Sequence, residues 1–250
     1  MERGLYIAAS GMIAEQVRLD QLANDLANAS TPGYKADSSE QASFSHLLLW
    51  NSNTGAAVGS LSMGSRITQV VTDLSQGPLQ KTGDPLDVAL DGPGFLAVST
   101  GSGVRYTRDG QLVVDGGGRL ATDTGDLVLG TSGSPITVGQ STDPSTISID
   151  ARGTVKVGTR TVGTLAVMSL TCATKQGDTL FTGSPGLRPA GTTVQQGFLE
   201  GSEGSGVQPA EAMVDMIVSF RSYETTQRAI QTIDTELGKA AGSVGSATGE

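Results

Sequence analysis

The sequence predicts a mainly β middle domain with N- and C-terminal α-helices that pair in a coiled-coil-like arrangement. Three observations carry that prediction. Apolar residues recur at helical spacing at both ends of the 250-residue chain. Between the ends the pattern shortens to period two or to brief apolar bursts. Gly, at 35 residues, is about twice its ordinary share while aromatics are only 4%, a balance that favours turns and short strands over a large aromatic interior.

At the N-terminus Leu5, Met12, Leu19 and Leu26 recur every seven positions, with Ala8, Ala9, Leu22 and Ala23 filling the same stripe. The pattern predicts an amphipathic helix of about six turns, interrupted halfway by Glu15 and Gln16. Pro32 biases its predecessor away from helical backbone and Gly33 is a turn residue, so the helix should stop near 30–33. Residues 1–35 are thus a helix and turn. Residues 36–80, which open with a mixed, Ser-rich stretch, read as an extended or irregular linker.

Residues 81–200 read as the β-rich domain. Segments 86–90, 95–98, 111–114, 127–129, 146–149 and 164–168 are alternating or apolar. Asp91-Gly92, Asp109-Gly110 and Asp115-Gly116 supply turns, since Gly and Asp tolerate positive φ. No fixed period is evident, which argues against a solenoid or propeller. Residues 201–208 have a Gly/Ser linker's composition.

The C-terminal segment 209–250 begins with Pro209 at a first-turn position and Glu211 where the helix dipole favours an acid. Met213, Met216, Phe220, Tyr223, Gln227, Ile230 and Leu237 keep a three-four spacing, supported by Ile217 and Ile233. This predicts a helix to about Leu237. The small, polar residues from Ala240 onward are expected to be a disordered tail.

Several function classes are disfavoured. A net charge of −9 with 16 Lys+Arg leaves no basic stripe for phosphates, so nucleic acid and anionic membrane surfaces are not expected partners. Membrane insertion is not expected either, because no apolar run is long enough to span a bilayer, and the first residues lack the marks of a secretory signal. Cys172, the one cysteine, is expected to be a buried free thiol in an apolar alternating stretch. His46, the one histidine, has neither a nucleophile elbow nor a second zinc-binding His beside it. Gly116-Gly117-Gly118 lacks the Lys-Ser/Thr end of a phosphate loop and reads as a hairpin turn. Asp84 and Asp87 alone do not define a glycosidase pair. The expectation is no enzyme: no catalytic, cofactor-binding or metal residues, and no cofactor.

On periodicity alone two readings stand. The helices cap one globular domain, or they bury their seams against each other and against other copies. Sequence motifs separate them. The stretch 4–12, from Gly4-Leu5-Tyr6 to Ser10-Gly11-Met12, followed by 22–35, from Leu22-Ala23-Asn24 to Thr31-Pro32-Gly33-Tyr34-Lys35, resembles the signature of the flagellar basal-body rod and hook protein family. So do Gly83-Asp84-Pro85-Leu86-Asp87 with its continuation to Leu96, Arg105-Tyr106-Thr107-Arg108-Asp109-Gly110, Met213-Val214-Asp215-Met216-Ile217 and Arg221-Ser222-Tyr223-Glu224. The matches cover both ends and the start of the middle in the family's order. Asp25 stands where the family commonly has Asn, and the Gly/Ser stretch around Gly204 is extra.

That resemblance implies a structural subunit of the basal-body rod. Its terminal helices would pair and stack into a hollow helical tube that transmits torque and walls the export channel, with the β-domain outside. The implied partners are other copies of the chain, neighbouring rod and hook subunits, and the flagellar type III export apparatus, through which such subunits cross the inner membrane without a cleaved signal. The mid-sized middle is similar to that of β-domain-bearing rod proteins. The pattern at 153–157 and 162–165 resembles the proximal type, with the distal type next. The expected assembly interface is Leu5, Met12, Leu19, Leu22, Asn24, Leu26, Asn28, Thr31, Pro32, Gly33 and Tyr34 with Met213, Met216, Ile217, Phe220, Tyr223 and Ile230. Asn24 and Asn28 would fix register between subunits, and Tyr34 would anchor a hinge. The competing reading is an extracellular β-rich adhesin or binding module with helical ends.

Overall fold

Helix α1 spans Glu2–Ala27 and helix α2 Pro209–Ala247 in a computed structural model that describes residues 2–43, 47–50, 57–61, 64–140, 142–202 and 208–247. The chain divides into a helical unit, residues 1–26, 37–71 and 209–250, and a β unit, residues 27–36 and 72–208.

In the helical unit the two helices run antiparallel. Ile233 Cδ1 lies 3.6 Å from the point a Cβ would occupy at Gly4, and Arg18 Nη2 lies 3.7 Å from Asp215 Oδ2. Along α2 the covered positions are Ala212, Met216, Ser219, Tyr223, Thr226, Ile230, Ile233 and Leu237. They alternate steps of four and three, the spacing of one apolar seam. Along α1 the half-buried Leu5, Met12, Leu19, Leu22 and Leu26 form the covered side; the buried Ala14 lies on another face, toward the strand Ser65–Thr72. Pro209 opens α2 and Glu211 stands in its first turn, as the capping chemistry requires.

One expectation changes here and one is refined. Helix α2 runs on through the segment expected as a disordered tail; Ala240, Ala241 and Ala247 are strong helix formers, and no Pro intervenes to stop it. Within residues 36–80, expected as an extended or irregular linker, the extended chain is organised into paired strands. Asp37–Ser43 pairs with Ser65–Thr72, and Leu47–Trp50 pairs with Ala57–Leu61. The ribbon's polar composition hides it from a hydrophobic count, yet Thr68 Oγ1 donates to the Glu40 carbonyl at 2.9 Å across it. His46 and residues 203–207 of the expected linker lie outside the described residues.

The β unit is built on an antiparallel sheet whose central strand, Phe95–Thr100, pairs with Gly103–Thr107, Leu127–Val128 and Val167–Met168. Both faces of that strand are buried. Leu96 and Val98 enter the main core with Leu90, Leu120, Val128, Val155 and Leu165. Phe95 and Ala97 enter a second cluster with Tyr106 and Phe181. This is why the segment reads in sequence as an apolar burst and not as an alternation. A three-stranded sheet, 147–149, 154–157 and 160–164, closes one part of the core. The Asp115-Gly116 turn joins Leu112–Val114 to Leu120–Thr122 as expected.

Cys172 is a correction: it is exposed, on the strand Leu170–Lys175, at a register shift and with φ 54. The bulge interrupts the alternation that would have turned the thiol inward.

Candidate assembly interface

Each helix of the helical unit keeps a second apolar face in solvent. On α2 it consists of Met213, Val214, Ile217, Val218 and Phe220, each between 51% and 59% exposed. Positions three and four apart are neighbours on a helix, so these residues make one continuous strip. On α1, Tyr6 and Ile13 are 59% and 64% exposed and lie seven residues apart on one side. Beside them a shallow groove of about 370 Å³ is lined by Ala9, Ala14, Val17 and Ile67, with Ser10, Ser65 and Arg66 as its polar members. The Ser65 N–H donates to Ser10 Oγ at 3.3 Å, fastening the ribbon along α1. Contiguous apolar surface of this kind marks an interaction site, whereas scattered exposed residues would not.

The covered seam carries a polar step. Glu15 Oε2 and Ser219 Oγ are buried without a hydrogen-bond partner. The register that sets Gly4 beside Ile233 and Arg18 beside Asp215 puts residue 15 level with residue 219. The two orphaned groups therefore fall in one layer. A buried unsatisfied polar group costs about 1–3 kcal/mol, and a polar seam position of this kind restricts the helices to one register.

The β unit contributes a buried joint where the chain enters and leaves it. Gly33, Tyr34 and Lys35 are all buried. Gly33 has φ 67, and a Cβ there would stand 2.3 Å from the carbonyl carbon of Arg108, so only glycine fits. Its N–H donates to the Glu200 carbonyl at 2.8 Å. The Glu200 carboxylate, fully buried, accepts from Lys35 Nζ at 2.6 Å and the Gly77 N–H at 2.8 Å on one oxygen, and from Arg108 Nη1 at 3.0 Å on the other. Lys35 Nζ also donates to the Ser75 carbonyl, and Lys175 Nζ sits 4.1 Å from the Tyr34 ring centroid while donating to the Lys35 carbonyl. Burial pulls the Lys35 ammonium below its ordinary value, with Glu200 opposing. A little further along, Ser202 Oγ donates to the Ala29 carbonyl. Next to this joint the buried Asp109 carboxyl is pushed up to about 6 by loss of solvent, with the charges of Asp123 and Asp87 adding to the rise.

These positions separate the expected interface residues, Asn24 and Asn28 apart, into three groups. Met213, Ile217 and Phe220 are on the exposed strip. Met216, Tyr223 and Ile230, with Leu5, Met12, Leu19, Leu22 and Leu26, are on the covered or half-covered sides of the helices. Thr31, Pro32, Gly33 and Tyr34 belong to the joint, where Gly33 and Tyr34 have no outward surface. Tyr34 therefore anchors the turn inside its own chain and offers no surface to a neighbouring subunit, so its place in the expected assembly interface is a correction. Asn24 is exposed, while Asn28 accepts from Thr31 Oγ1 at 3.3 Å and its carbonyl accepts the Thr31 N–H at 2.9 Å, closing the helix end locally. Val214, Val218, Tyr6 and Ile13 were missed, although helical phase extends the strip to the two valines. Lys35, Arg108 and Glu200 carry no local signal for their association.

Family models match three segments of the chain: residues 5–35 as "Flagella basal body rod protein", 89–157 as "Flagellar hook protein FlgE/F/G D1 domain", and 195–242 as "Flagellar basal body rod FlgEFG protein C-terminal". Among characterised relatives, the flagellar basal-body rod protein FlgF of Caulobacter vibrioides is 32% identical, covering 96% of this chain and 97% of that protein. The rod protein FlgG of Borreliella burgdorferi is 33% identical over 96% of this chain and 98% of its own length. FlgG of Bacillus subtilis is 31% identical over 95% and 97%. No described helix is long and apolar enough to cross a membrane.

Proposed function

Because this chain belongs to the flagellar basal-body rod and hook protein family and is a structural subunit of the rod, we propose that it assembles through its terminal helices into the wall of a helical tube. The carrying observation is the exposed apolar strip on α2, Met213, Val214, Ile217, Val218 and Phe220. A helix in water draws most of its stability from burying an apolar face, and this helix has a second face still to bury.

In this reading α1 and α2 pair as a coiled coil along their covered seam, and their outer strips pack on neighbouring copies and on adjoining rod and hook subunits. A strip on one face that meets a different surface of the next copy gives head-to-tail contacts, which generate open helical assemblies. The tube then transmits torque and encloses the export channel. The subunit reaches its place in the basal body through the flagellar export apparatus. The matched relatives are named as flagellar proteins, so the adhesin reading is set aside. Identities of 32% to FlgF and 33% to FlgG are alike, and the proximal position is retained as the proposal on the pattern at 153–157.

The test is complementation of a strain lacking the chain, followed by mass spectrometry of its purified basal bodies. The expected result is a low, fixed copy number and restored motility. Motile cells whose basal bodies retain the other rod subunits but lack this chain would overturn the reading.

A further inference from the structure

The last strands of the β unit close its first ones. Among the described strands, Leu79–Lys81 pairs only with Phe198–Glu200, and Val88–Asp91 only with Thr193–Gln196. The second pairing sets Val194 opposite Leu90, and both side chains belong to the main core. The Gln196 side chain fastens two further segments. Its Nε2 donates to the Pro85 carbonyl at 2.6 Å and the Ile147 carbonyl at 2.9 Å, and its Oε1 accepts the Ile149 N–H at 3.0 Å. The Val194 N–H donates to the Ala151 carbonyl and the Thr192 hydroxyl to the Pro93 carbonyl. At the end of the same run the Glu200 carboxylate accepts from Lys35, Gly77 and Arg108, and Ser202 donates to Ala29. Residues 192–202 thus hold together segments that are distant in sequence, Pro85 by 111 residues and Lys35 by 165.

We propose that residues 192–202 are a closing strap: the rest of the β unit has no stable folded state until they have joined it. The physical reason is loop closure. Bringing distant segments together costs chain entropy before their contacts offset it, and here the contacts that offset it are made by the strap itself. Without the strap, Leu79–Lys81 and Val88–Asp91 keep open edges and Leu90 loses its partner Val194. Lys35 and Arg108 then have no carboxylate to enter the interior against, and an uncompensated buried charge is costly. The sheet at 147–164 loses its bonds to Gln196. A chain with only its first 191 residues free therefore stays open. The use of this device rests on the reading of the chain as an exported rod subunit: the β unit cannot lock while the strap is still held in a narrow passage, and it locks once residue 202 is clear.

The test is native-state amide exchange on the full soluble chain in rising denaturant, wild type against Gln196→Ala. In the wild type the slowest amides of 88–91, 95–100 and 193–196 should exchange through one common opening. The variant leaves the Ile149 N–H and two carbonyls without their partner. Exchange should therefore speed up about tenfold, by the same factor at 95–100 as at 193–196. If Gln196→Ala removes protection from the whole unit, Ser202→Ala is read in its place by the same ratio. A strand at 95–100 that keeps wild-type exchange while 88–91 and 193–196 speed up would overturn the proposal, because the core then stands without its strap. Separate openings of strap and core in the wild type would overturn it too. Absence of the wild-type chain from basal bodies, with strap and core still exchanging together, would instead strike at the rod reading and leave the strap standing.

Discussion

The helical unit and the β unit bury their apolar side chains to very different degrees. In the β unit, Leu90, Leu96, Val98, Leu120, Val128, Val155 and Leu165 are all but inaccessible, and even its central charges are enclosed and paired. In the helical unit five large apolar residues of α2 between positions 213 and 220 are more than half exposed. One region buries its apolar residues within itself; the other keeps an apolar face that the proposed assembly would cover. If the proposed assembly holds, residues of the same chemical kind serve folding in one place and association in the other, and substitutions should separate the two.

The largest effect is expected at the strip. Phe220→Asp places a charge where the proposed packing needs an apolar surface, so incorporation should fall about a hundredfold or more while the melting temperature of the β unit stays unchanged. Parallel thermal melts and basal-body assays read both. A collapse of the β unit in this variant would erase the distinction between the regions. Next is Glu200→Ala, which leaves Lys35 and Arg108 facing a gap; breaking a buried ion pair costs about 3–5 kcal/mol, measured as a lower denaturation midpoint of the β unit. A loss below about 1 kcal/mol would mean that the joint is not part of what makes that unit complete.

A smaller effect is expected from acid. The folded Asp109 carboxyl stands at about 6, above its ordinary 3.8, so the fold prefers the protonated acid. The stabilisation is full below about pH 3.8 and is lost as pH rises through about 6. Asp109→Asn should therefore stabilise the β unit at pH 7 by about 2 kcal/mol relative to wild type. The advantage should shrink as pH falls below 6 and vanish near 4, by denaturant titration at each pH. The smallest effect is expected in the seam, where Glu15→Leu removes one orphaned oxygen and should stabilise the helical unit by about 1 kcal/mol. If Glu15 sets the register, that variant should also self-associate before export, visible as early elution on size exclusion.

Much of the fold was legible in the sequence because helix and strand leave different periods. The extent of α1, the start of α2 and the central β segments all follow from it. The phase of α2 was harder to read. Its covered seam passes through Ala212, Ser219 and Thr226, small or polar residues that a hydrophobic count ignores, so the stripe drawn from sequence slid toward Met213, Phe220 and Gln227. That slide joined inner and outer residues into one list. The ribbon at 37–43 and 65–72 was hidden by Ser, Gln and Thr, which pair through backbone whatever their side chains. The turn at the joint was legible, but the charges buried behind it were not. Lys35, Arg108 and Glu200 are ordinary charges in sequence, and only the closing of strands around them reveals that they meet.

The central claim is that the outer strip of α2 is free in the isolated chain and covered in the rod. The most direct measurement is maleimide labelling of Ile217→Cys in a Cys172→Ser background, in the soluble chain and in purified basal bodies, with Leu187→Cys, a site 89% exposed on the β unit, labelled in parallel. The account predicts rapid labelling of both sites in the soluble chain, and in basal bodies loss of labelling at 217 with labelling at 187 retained. Equal labelling at 217 in both states would contradict it.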